Sequence, residues 1–342
     1  MTRRAGHRAG LSLKRRLVIS AMSAMATVGV ALMLFGLWAV WSYRGPGPEA
    51  RAGDATTVML RRGSSLNEIA TTLERAGVVR SAPVFLAAAQ ATGAARALKA
   101  GEYEFASRTP MARVLDDIRA GRIIRHQVTI PEGLTSEMAV EILAREPALI
   151  GVAPTPPEGA LLPETYDFER GEDRAAVLQR MMDARDRLIA SLWAKRQTGL
   201  PFTTIEEAVT LASIVEKETG VASERPRVAS VFVNRLRKGM RLESDPTIIY
   251  GISKGRPLGR GIRLSELSRE TPYNTYLIDG LPPTPIANPG REALAAVLDP
   301  PRTDYLFFVA DGTGGHMFSA TYEDHARHVE RLRALERTGA GK

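Results

Sequence analysis

Residues 203–220 read TTIEEAVTLASIVEKETG, and this stretch decides the fold of the second half of the chain. Thr203 and Thr204 are each followed three residues later by a glutamate, which is the spacing of a helix capping box. Apolar side chains then recur at helical spacing, and Gly220 suits the position just after a helix. The pattern predicts an amphipathic helix over 205–219 with one buried face.

Two glutamates, Glu216 and Glu218, stand at the end of this predicted helix on either side of Lys217. On a helical wheel both acids fall on the flanks of the apolar face, so the wheel does not choose between them. Glu218 is nearer the C-terminus, where unpaired carbonyl groups disfavour a negative charge and favour a protonated carboxyl. A general acid needs that proton. Two solvated helix-end acids are the simpler interpretation of the spacing alone.

Further predicted elements complete the second half of the chain. A second helix is predicted to begin after Ser223, as its N-cap, and to end at Gly239. Long polar loops rich in aromatic residues and proline come next, and loops of this length are typical of binding surfaces. A β-hairpin and a last helix close the domain, over 305–310, 316–320 and 323–336.

Short strands and short helices alternate between residues 56 and 150. A capping box of Ser65 and Glu68 opens one of these helices, and Gly121 ends another. The mixture predicts the α+β class rather than a parallel α/β sheet. The expected domains are, in chain order, a small module over 56–150, a linker or hinge with helices over 151–200, and a main domain over 201–342.

The chain of 342 residues contains no cysteine and five histidines. Disulfides, thiolate zinc sites and cysteine nucleophiles are therefore excluded, and a histidine-rich metal site is not expected. Glycine-rich nucleotide loops are absent from the sequence. We expect neither a metal nor a cofactor. His325 and His328 are expected to be solvated helix residues, whereas His316 is a candidate for lining a cleft.

The net charge of +8 is concentrated at the N-terminus. Residues 1–16 carry six basic side chains and no acid, and the rest of the chain carries 40 basic and 38 acidic side chains. The body of the protein is therefore nearly neutral. This removes the electrostatic argument for binding to nucleic acid.

Residues 17–43 contain no charged side chain. As a helix they would extend about 40 Å, which exceeds the ~30 Å hydrocarbon core of a membrane. Trp38 and Trp41 lie near the far end, where aromatic rings favour the interface. The preceding basic residues predict a cytoplasmic tail over 1–16 and an extracytoplasmic remainder, anchored in the cytoplasmic membrane. A cleaved signal peptide is the alternative, but its apolar segment is shorter. A flexible stalk is expected over 44–55.

Ordered motifs along the chain resemble one known family, the YceG-like endolytic murein transglycosylases. In the second half these motifs are ASIVEKET (212–219), SER (223–225), VFVNRL (231–236), SDPT (244–247), YNTY (273–276), GLPP (280–283), NPG (288–290) and FVADG (308–312). In the first half they are KAGEY (99–103), PEG (131–133) and LPETY (162–166). The resemblance is collinear from about residue 57 to residue 335.

The resemblance implies a lyase that cleaves peptidoglycan strands between N-acetylmuramic acid and N-acetylglucosamine and leaves 1,6-anhydro-muramyl ends. It maps the family's single catalytic glutamate onto Glu218. It also implies that the module over 56–150 is LysM-like and binds glycan. Peptidoglycan synthases such as penicillin-binding proteins are the implied partners, since cutting nascent strands would end their elongation.

One essential carboxyl is enough for this reaction, whereas an ordinary glycosidase needs two. Glu218 would protonate the glycosidic oxygen and then accept the proton of the sugar's own 6-hydroxyl group. We expect further polar residues, each also typical of turns and caps, to orient the sugars: Asn234, Asp245, Tyr273 and Asn274. Glu216 is expected to be a structural partner of an arginine, with direct substrate contact as the alternative.

Two other functions stay open at this point. A muramidase would hydrolyse the same bond, with Glu218 activating water with help from Asp245 or Glu243. A non-catalytic wall-binding protein that organises synthases would use both helix-end glutamates only structurally. The ends of the products distinguish the muramidase from the lyase, and the variant Glu218→Gln distinguishes the wall-binding protein from both enzymes.

Overall fold

A computed structural model describes residues 13–338 of the chain. Of the predicted basic tail over 1–16, residues 1–12 lie outside the described residues, and 13–16 begin the first helix. The chain divides into two compact units, Met1–Ile124 and Arg125–Lys342. Both units combine helices with small antiparallel sheets, so the predicted mixed α+β class is confirmed.

The first unit begins with a long apolar helix and continues with a small module. Within this helix, the segment Leu17–Arg44 is 28 residues long, and its most apolar stretch of 18 residues is not buried by the protein, so its length and composition suit a membrane span. The elements of the unit are α1 (Leu13–Arg44), β1 (Ala55–Leu60), α2 (Leu66–Arg75), α3 (Ala82–Ala91), β2 (Gly101–Ala106) and α4 (Met111–Ala120).

The core of the module lies between the β1–β2 sheet and the helices α2 to α4. The two strands pair antiparallel, with Val58 opposite Tyr103. Tyr103 is fully buried, and its hydroxyl donates a 2.8 Å hydrogen bond to the Lys99 carbonyl oxygen, so the polar atom of this side chain is satisfied within the core. The predicted capping box of Ser65 and Glu68 is confirmed at the start of α2.

A flexible stalk was expected over 44–55, but α1 extends to Arg44, β1 begins at Ala55, and parts of the segment between them are held against the module. The Gly47 N–H donates to the Arg108 carbonyl oxygen, and the Arg108 N–H donates to the Pro48 carbonyl oxygen, both at 2.9 Å. A Cβ atom on Gly47 would lie 2.2 Å from the Thr109 carbonyl oxygen, so this close approach requires glycine. The expectation of a flexible stalk is wrong, because these backbone hydrogen bonds fix the path of the segment.

The second unit contains two small hairpins and most of the helices. Its elements are β3 (His126–Thr129), α5 (Ser136–Arg145), β4 (Thr165–Phe168), α6 (Arg174–Ala194), α7 (Ile205–Glu218), α8 (Arg225–Arg237), α9 (Asp245–Ser253), α10 (Leu264–Leu267), α11 (Arg291–Leu298), β5 (Phe307–Ala310), β6 (His316–Ser319) and α12 (Tyr322–Thr338).

The boundary between the compact units differs from the domain boundary expected near residue 150. Strand β3 pairs antiparallel with β4, from His126 opposite Phe168 to Thr129 opposite Thr165. Buried side chains of these strands share one core with α5 and α6. Residues 125–150 therefore pack with the segment that was expected to be a linker, because β3 needs β4 to complete its hydrogen bonds.

Helix α7 lies in the largest core of the second unit and packs against α8 and α11. Its predicted capping box is present, with Thr204 at the N-cap and Glu207 three residues later. Ser223, predicted as the N-cap of the next helix, lies instead in a short 3-10 turn, and α8 begins at Arg225. This later start puts Pro226 at the second helical position. The N–H groups of the first helical turn have no partner within the helix, so the lack of an N–H in proline costs no hydrogen bond there.

The buried side chain of Asn288 joins three segments of the second unit. Its amide nitrogen donates to the Leu134 carbonyl oxygen at 3.0 Å, and its amide oxygen accepts from the Leu161 N–H at 3.0 Å. The Ser136 hydroxyl lies within 3.2 Å of the same amide. Asn288 thus satisfies polar groups that no solvent reaches, and it ties the start of α5 to the loop before α11.

We expect Asn288→Ala to lower the free energy of unfolding by about 2–4 kcal/mol, because it leaves a buried N–H and a buried carbonyl unpaired. Thermal and urea unfolding of the detergent-solubilised protein measure this loss. Asn67→Ala, at an exposed position in α2, is the matched control and should change stability by less than about 0.5 kcal/mol. Equal effects of the two substitutions would contradict the role given to Asn288.

Candidate active site

Glu218 is the last residue of α7, and its side chain is half-buried. The helix buries every residue from Ala208 to Glu216, whereas Lys217 is exposed and Glu218 is half-buried, so its end passes from the core to the surface. There the Ser244 hydroxyl donates a 2.5 Å hydrogen bond to Glu218 Oε1. One carboxyl oxygen is therefore fixed by the protein.

Burial raises the pKa of Glu218 to about 7. The hydrogen bond from Ser244 and the positive charge of Arg235 act in the opposite direction, whereas the negative charge of Asp245 raises the pKa further. A carboxyl that titrates near neutral pH can both give and take a proton under physiological conditions. This environment is what an acid/base residue requires.

The turn that presents Ser244 is held by Arg235 of α8. The buried guanidinium group donates to three backbone carbonyl oxygens and, at 3.0 Å, to the Glu243 carboxylate. Glu243 has a φ of +52°, a left-handed conformation that is uncommon for a residue other than glycine. The Ser244 N–H also donates to the Thr275 hydroxyl at 2.9 Å. The position of the Ser244 hydroxyl therefore depends on contacts from two other segments.

Asp245 and Tyr276 form a second polar pair beside Glu218. The Tyr276 hydroxyl donates a 2.7 Å hydrogen bond to Asp245 Oδ1. Burial, reinforced by this hydrogen bond, raises the pKa of Tyr276, so the phenol keeps its proton at neutral pH. Asp245 opens α9, where the helix N-terminus favours a carboxylate.

Glu216 has an entirely different environment from Glu218. Arg225 donates at 2.9 Å to Glu216 Oε1 and also at 2.9 Å to the Glu132 carboxylate. The Gly290 N–H donates to Glu216 Oε2 at 2.9 Å. Burial raises the pKa of Glu216, and the Gly290 N–H and the Arg225 charge oppose that rise. The arginine partner expected for Glu216 is present, and both of its oxygens are occupied by the protein.

The two asparagines predicted to orient sugars are used by the protein itself. Asn274 is buried, and its amide nitrogen donates to the carbonyl oxygens of Leu267 and Arg269. Asn234 donates from its amide nitrogen to the carbonyl oxygens of Thr303 and Tyr305. Direct contact between Asn274 and a sugar is incompatible with this burial. Asn234 donates both amide hydrogens to the segment that leads into β5.

Tyr273 belongs to a separate aromatic group next to the loop of Tyr276. Its ring centre lies 4.9 Å from that of Tyr250, and its hydroxyl lies 2.8 Å from the Thr284 hydroxyl. The Lys254 ammonium group lies 5.4 Å from the Tyr273 ring centre, within range of a cation–π contact. Tyr273 is half-buried, so part of its ring is accessible.

The histidines singled out in the sequence pack around the β5–β6 hairpin. His316 Nδ1 lies 2.7 Å from Glu224 Oε2, and the backbone N–H of His316 donates to Oε1 of the same carboxylate. His325 is half-buried and stacks on Phe307, with ring centres 5.1 Å apart, and His328 bonds Ser319. The expectation that His325 and His328 are solvated is wrong, because α12 lies against the hairpin.

Glu158 is a second carboxyl whose pKa burial raises to about 7. Its two oxygens accept the Ser136 N–H at the start of α5, at 3.2 and 3.1 Å. A carboxyl in this position satisfies a helix N-terminus, which is a structural task. No motif in the sequence pointed to it, since its partners are remote along the chain.

The arrangement around Glu218 can transfer a proton to and from one bound group. Three residues of this arrangement were not predicted as site residues: Ser244, Arg235 and Tyr276. Ser244 lies in a motif that the sequence displays, SDPT at 244–247, but its contact with Glu218 depends on the left-handed Glu243. A motif alone does not reveal such a contact.

Comparison with known proteins extends over both units of the chain. The YceG-like family matches residues 58–331. An endolytic murein transglycosylase of Streptococcus pneumoniae serotype 2 (strain D39) is 28% identical over 330 residues, which cover 82% of this chain and 59% of that protein. A protein of the same name from Bacillus subtilis (strain 168) is 33% identical over 177 residues, 52% of this chain and 48% of that protein.

A 2.6 Å crystal structure of a YceG-like protein from Listeria monocytogenes is 29% identical to the chain. It matches 81% of this chain and 99% of that one, with a TM-score of 0.49. The chain spans only about half to three-fifths of the length of the two transglycosylases it matches. The family match nevertheless begins in β1, ends in α12 and includes every residue described around Glu218. The chain therefore belongs to the YceG-like family.

Proposed function

We propose that the protein is a membrane-anchored endolytic lytic transglycosylase of peptidoglycan. It cleaves the bond between N-acetylmuramic acid and N-acetylglucosamine in nascent glycan strands and leaves 1,6-anhydro-muramyl ends, which terminates strand elongation. The observation that carries the proposal is the Glu218 carboxyl, half-buried, with a pKa of about 7 and without an ion-pair partner among residues 17–337. The names of the two related transglycosylases support the substrate and the reaction class.

Glu218 acts first as a general acid and then as a general base. Its proton passes to the glycosidic oxygen as the bond to the muramyl C1 breaks. The 6-hydroxyl oxygen of the same muramyl residue then forms a bond to C1 and gives its proton to Glu218. The carboxyl returns to its starting state, no water is consumed, and no second carboxylate is needed as a nucleophile.

The groups around Glu218 hold the carboxyl and the substrate in place. Ser244 keeps one oxygen of Glu218 fixed, which leaves the other oxygen for the glycosidic bond. Asp245 and Tyr276 supply acceptor oxygens beside it, and Tyr273 offers part of an aromatic ring to a sugar. Asn234 and Asn274 serve the same site indirectly, by holding the loops that form it.

Hydrolysis is the second candidate reaction, and the nearness of Asp245 to Glu218 is the observation in its favour. The charge of Asp245 acts on the pKa of Glu218, so a second carboxylate lies near the first. A muramidase needs such a pair. The hydrogen bond from Tyr276 and the place of Asp245 at the start of α9 give it a structural task, so we favour the lyase.

The proposal includes a place for the protein in the cell. Helix α1 is a single-pass anchor in the cytoplasmic membrane, with the basic tail inside and the chain from about residue 45 onward outside. The module between β1 and α4 is LysM-like and binds glycan. Peptidoglycan synthases, including penicillin-binding proteins, are the expected partners, because nascent strands are made at this membrane. No cofactor is required.

The variant Glu218→Gln should lower the rate of cleavage by at least about a hundredfold, because an amide cannot supply the proton. Purified glycan strands are incubated with each protein, and the product ends are read by mass spectrometry. Glu206→Gln is the matched control, since Glu206 is exposed at the opposite end of α7 and should leave the rate unchanged. Anhydro-muramyl ends are expected from the wild type and the control.

Each other outcome contradicts a specific part of the proposal. Reducing ends from the wild type would make the protein a muramidase and assign Asp245 as the second carboxylate. Cleavage by Glu218→Gln at the wild-type rate would remove Glu218 from the mechanism. Binding of glycan without cleavage by any of the proteins would support the non-catalytic wall-binding function instead.

Activity should fall as the pH rises through about 7, because the acid form of Glu218 is lost. In Ser244→Ala this alkaline limb of kcat/KM should move to higher pH, since the Ser244 hydrogen bond lowers the pKa of Glu218. Ser265→Ala, an exposed serine, is the control. Glu158→Gln removes the other carboxyl with a pKa of about 7. If the alkaline limb moved in Glu158→Gln but not in Ser244→Ala, the assignment of this limb to Glu218 would be contradicted.

A further inference from the structure

The last turn of α1 is packed into the module rather than free of it. Ser42 is buried, and Tyr43 packs against the core of the module. The guanidinium carbon of Arg80 lies 4.6 Å from the Trp41 ring centre. Arg80 also donates to the carbonyl oxygens of Pro46 and Gly47, each at 3.1 Å. The anchor helix and the module therefore share one packed junction.

Helix α3 lies at the level of this last turn. Arg80, which precedes α3, contacts Trp41, and Thr92, which follows α3, lines a small cavity together with Tyr43. Both ends of a helix about 15 Å long thus reach the same turn of α1. Helix α3 consequently crosses the end of α1 instead of extending away from it.

The depth of that turn in a membrane follows from the length of α1. A hydrocarbon core of about 30 Å takes roughly 20 helical residues, and the apolar segment Leu17–Arg44 has 28. The excess lies at the aromatic end, where Trp38 and Trp41 mark the interface. Because α3 lies beside Trp41, it lies at the same depth as the lipid headgroups.

The sequence of α3 suits that environment. No charged residue occurs over 81–95, whereas Arg80 and Arg96 stand at the two ends of this stretch and are exposed. The outward side chains of α3 are uncharged, and all but Gln90 are small and apolar: Pro83, Ala87, Gln90 and Ala91. An uncharged, mostly apolar face flanked by arginines suits the boundary between acyl chains and phosphates.

We propose that α3, with Arg80 and Arg96, is a second membrane-contact site, which rests on the outer leaflet of the membrane that α1 spans. The inference rests on the proposed anchor. The contact needs little affinity of its own, because α1 already holds it at the surface. A protein partner is a poorer fit, since residues 55–124 expose no large apolar side chain to act as an interface anchor.

Single fluorescent probes on the full chain in lipid nanodiscs test the proposal, and the absence of cysteine makes each label specific. Probes are attached to Ala91→Cys on the outer face of α3, Glu104→Cys on the face of the sheet opposite the helices, and Met25→Cys within α1. Lipids with a nitroxide on the headgroup or on the acyl chain serve as quenchers. The probe at position 91 should lose most of its fluorescence with headgroup nitroxide, and the probe at position 104 almost none.

The remaining arms separate the possible failures. If acyl-chain nitroxide does not quench the probe at position 25, the anchor itself is overturned. Quenching at position 25 with none at position 91 would overturn only the membrane contact of α3. A flexible Gly-Ser insert between Arg44 and Gly45 should abolish quenching at position 91 and leave position 25 quenched, because the packed junction is then broken. Unchanged quenching at position 91 with this insert would contradict the role of the junction.

Discussion

A carboxylate inside a protein must be paired, and the pairing of Glu216 with Arg225 is the constraint on which the surroundings of α7 depend. Arg225 also binds Glu132, and the Gly290 N–H binds Glu216, so the contact joins the end of α7 to three other segments. Removing one partner would leave a buried charge alone, at a cost of about 3–5 kcal/mol. The last turn of α7 therefore has a single orientation.

That orientation determines where Glu218 points. Two residues further along a helix, a side chain is rotated by about 200° around the axis, so Glu218 faces away from the ion pair and toward Ser244. No cation pairs with it in the described part of the chain, and burial therefore controls its pKa. Two glutamates separated by one residue thus differ in their surroundings, because one meets a guanidinium group and the other meets a hydroxyl.

Local signals in the sequence predicted local structure well. The capping boxes at Ser65 and Thr204 are present, since their partners lie three residues away. Features that depend on remote partners were not predictable in this way. Asn274 resembles a surface residue of a binding loop but is buried, and the contact of Ser244 with Glu218 requires the left-handed Glu243. The helical wheel could not show which glutamate is paired, because Arg225, the partner of Glu216, belongs to another helix.

The segment 45–54 shows why composition alone misleads about linkers. Glycine and proline are typical of flexible chains, but they also permit tight backbone approaches that other residues prevent. At Gly47 the missing Cβ admits the Thr109 carbonyl oxygen, and the backbone groups on either side find partners in the module. A linker is flexible only when its N–H and carbonyl groups bind water. In this chain the backbone groups of Pro46, Gly47 and Pro48 bind protein, next to the packed junction with α1.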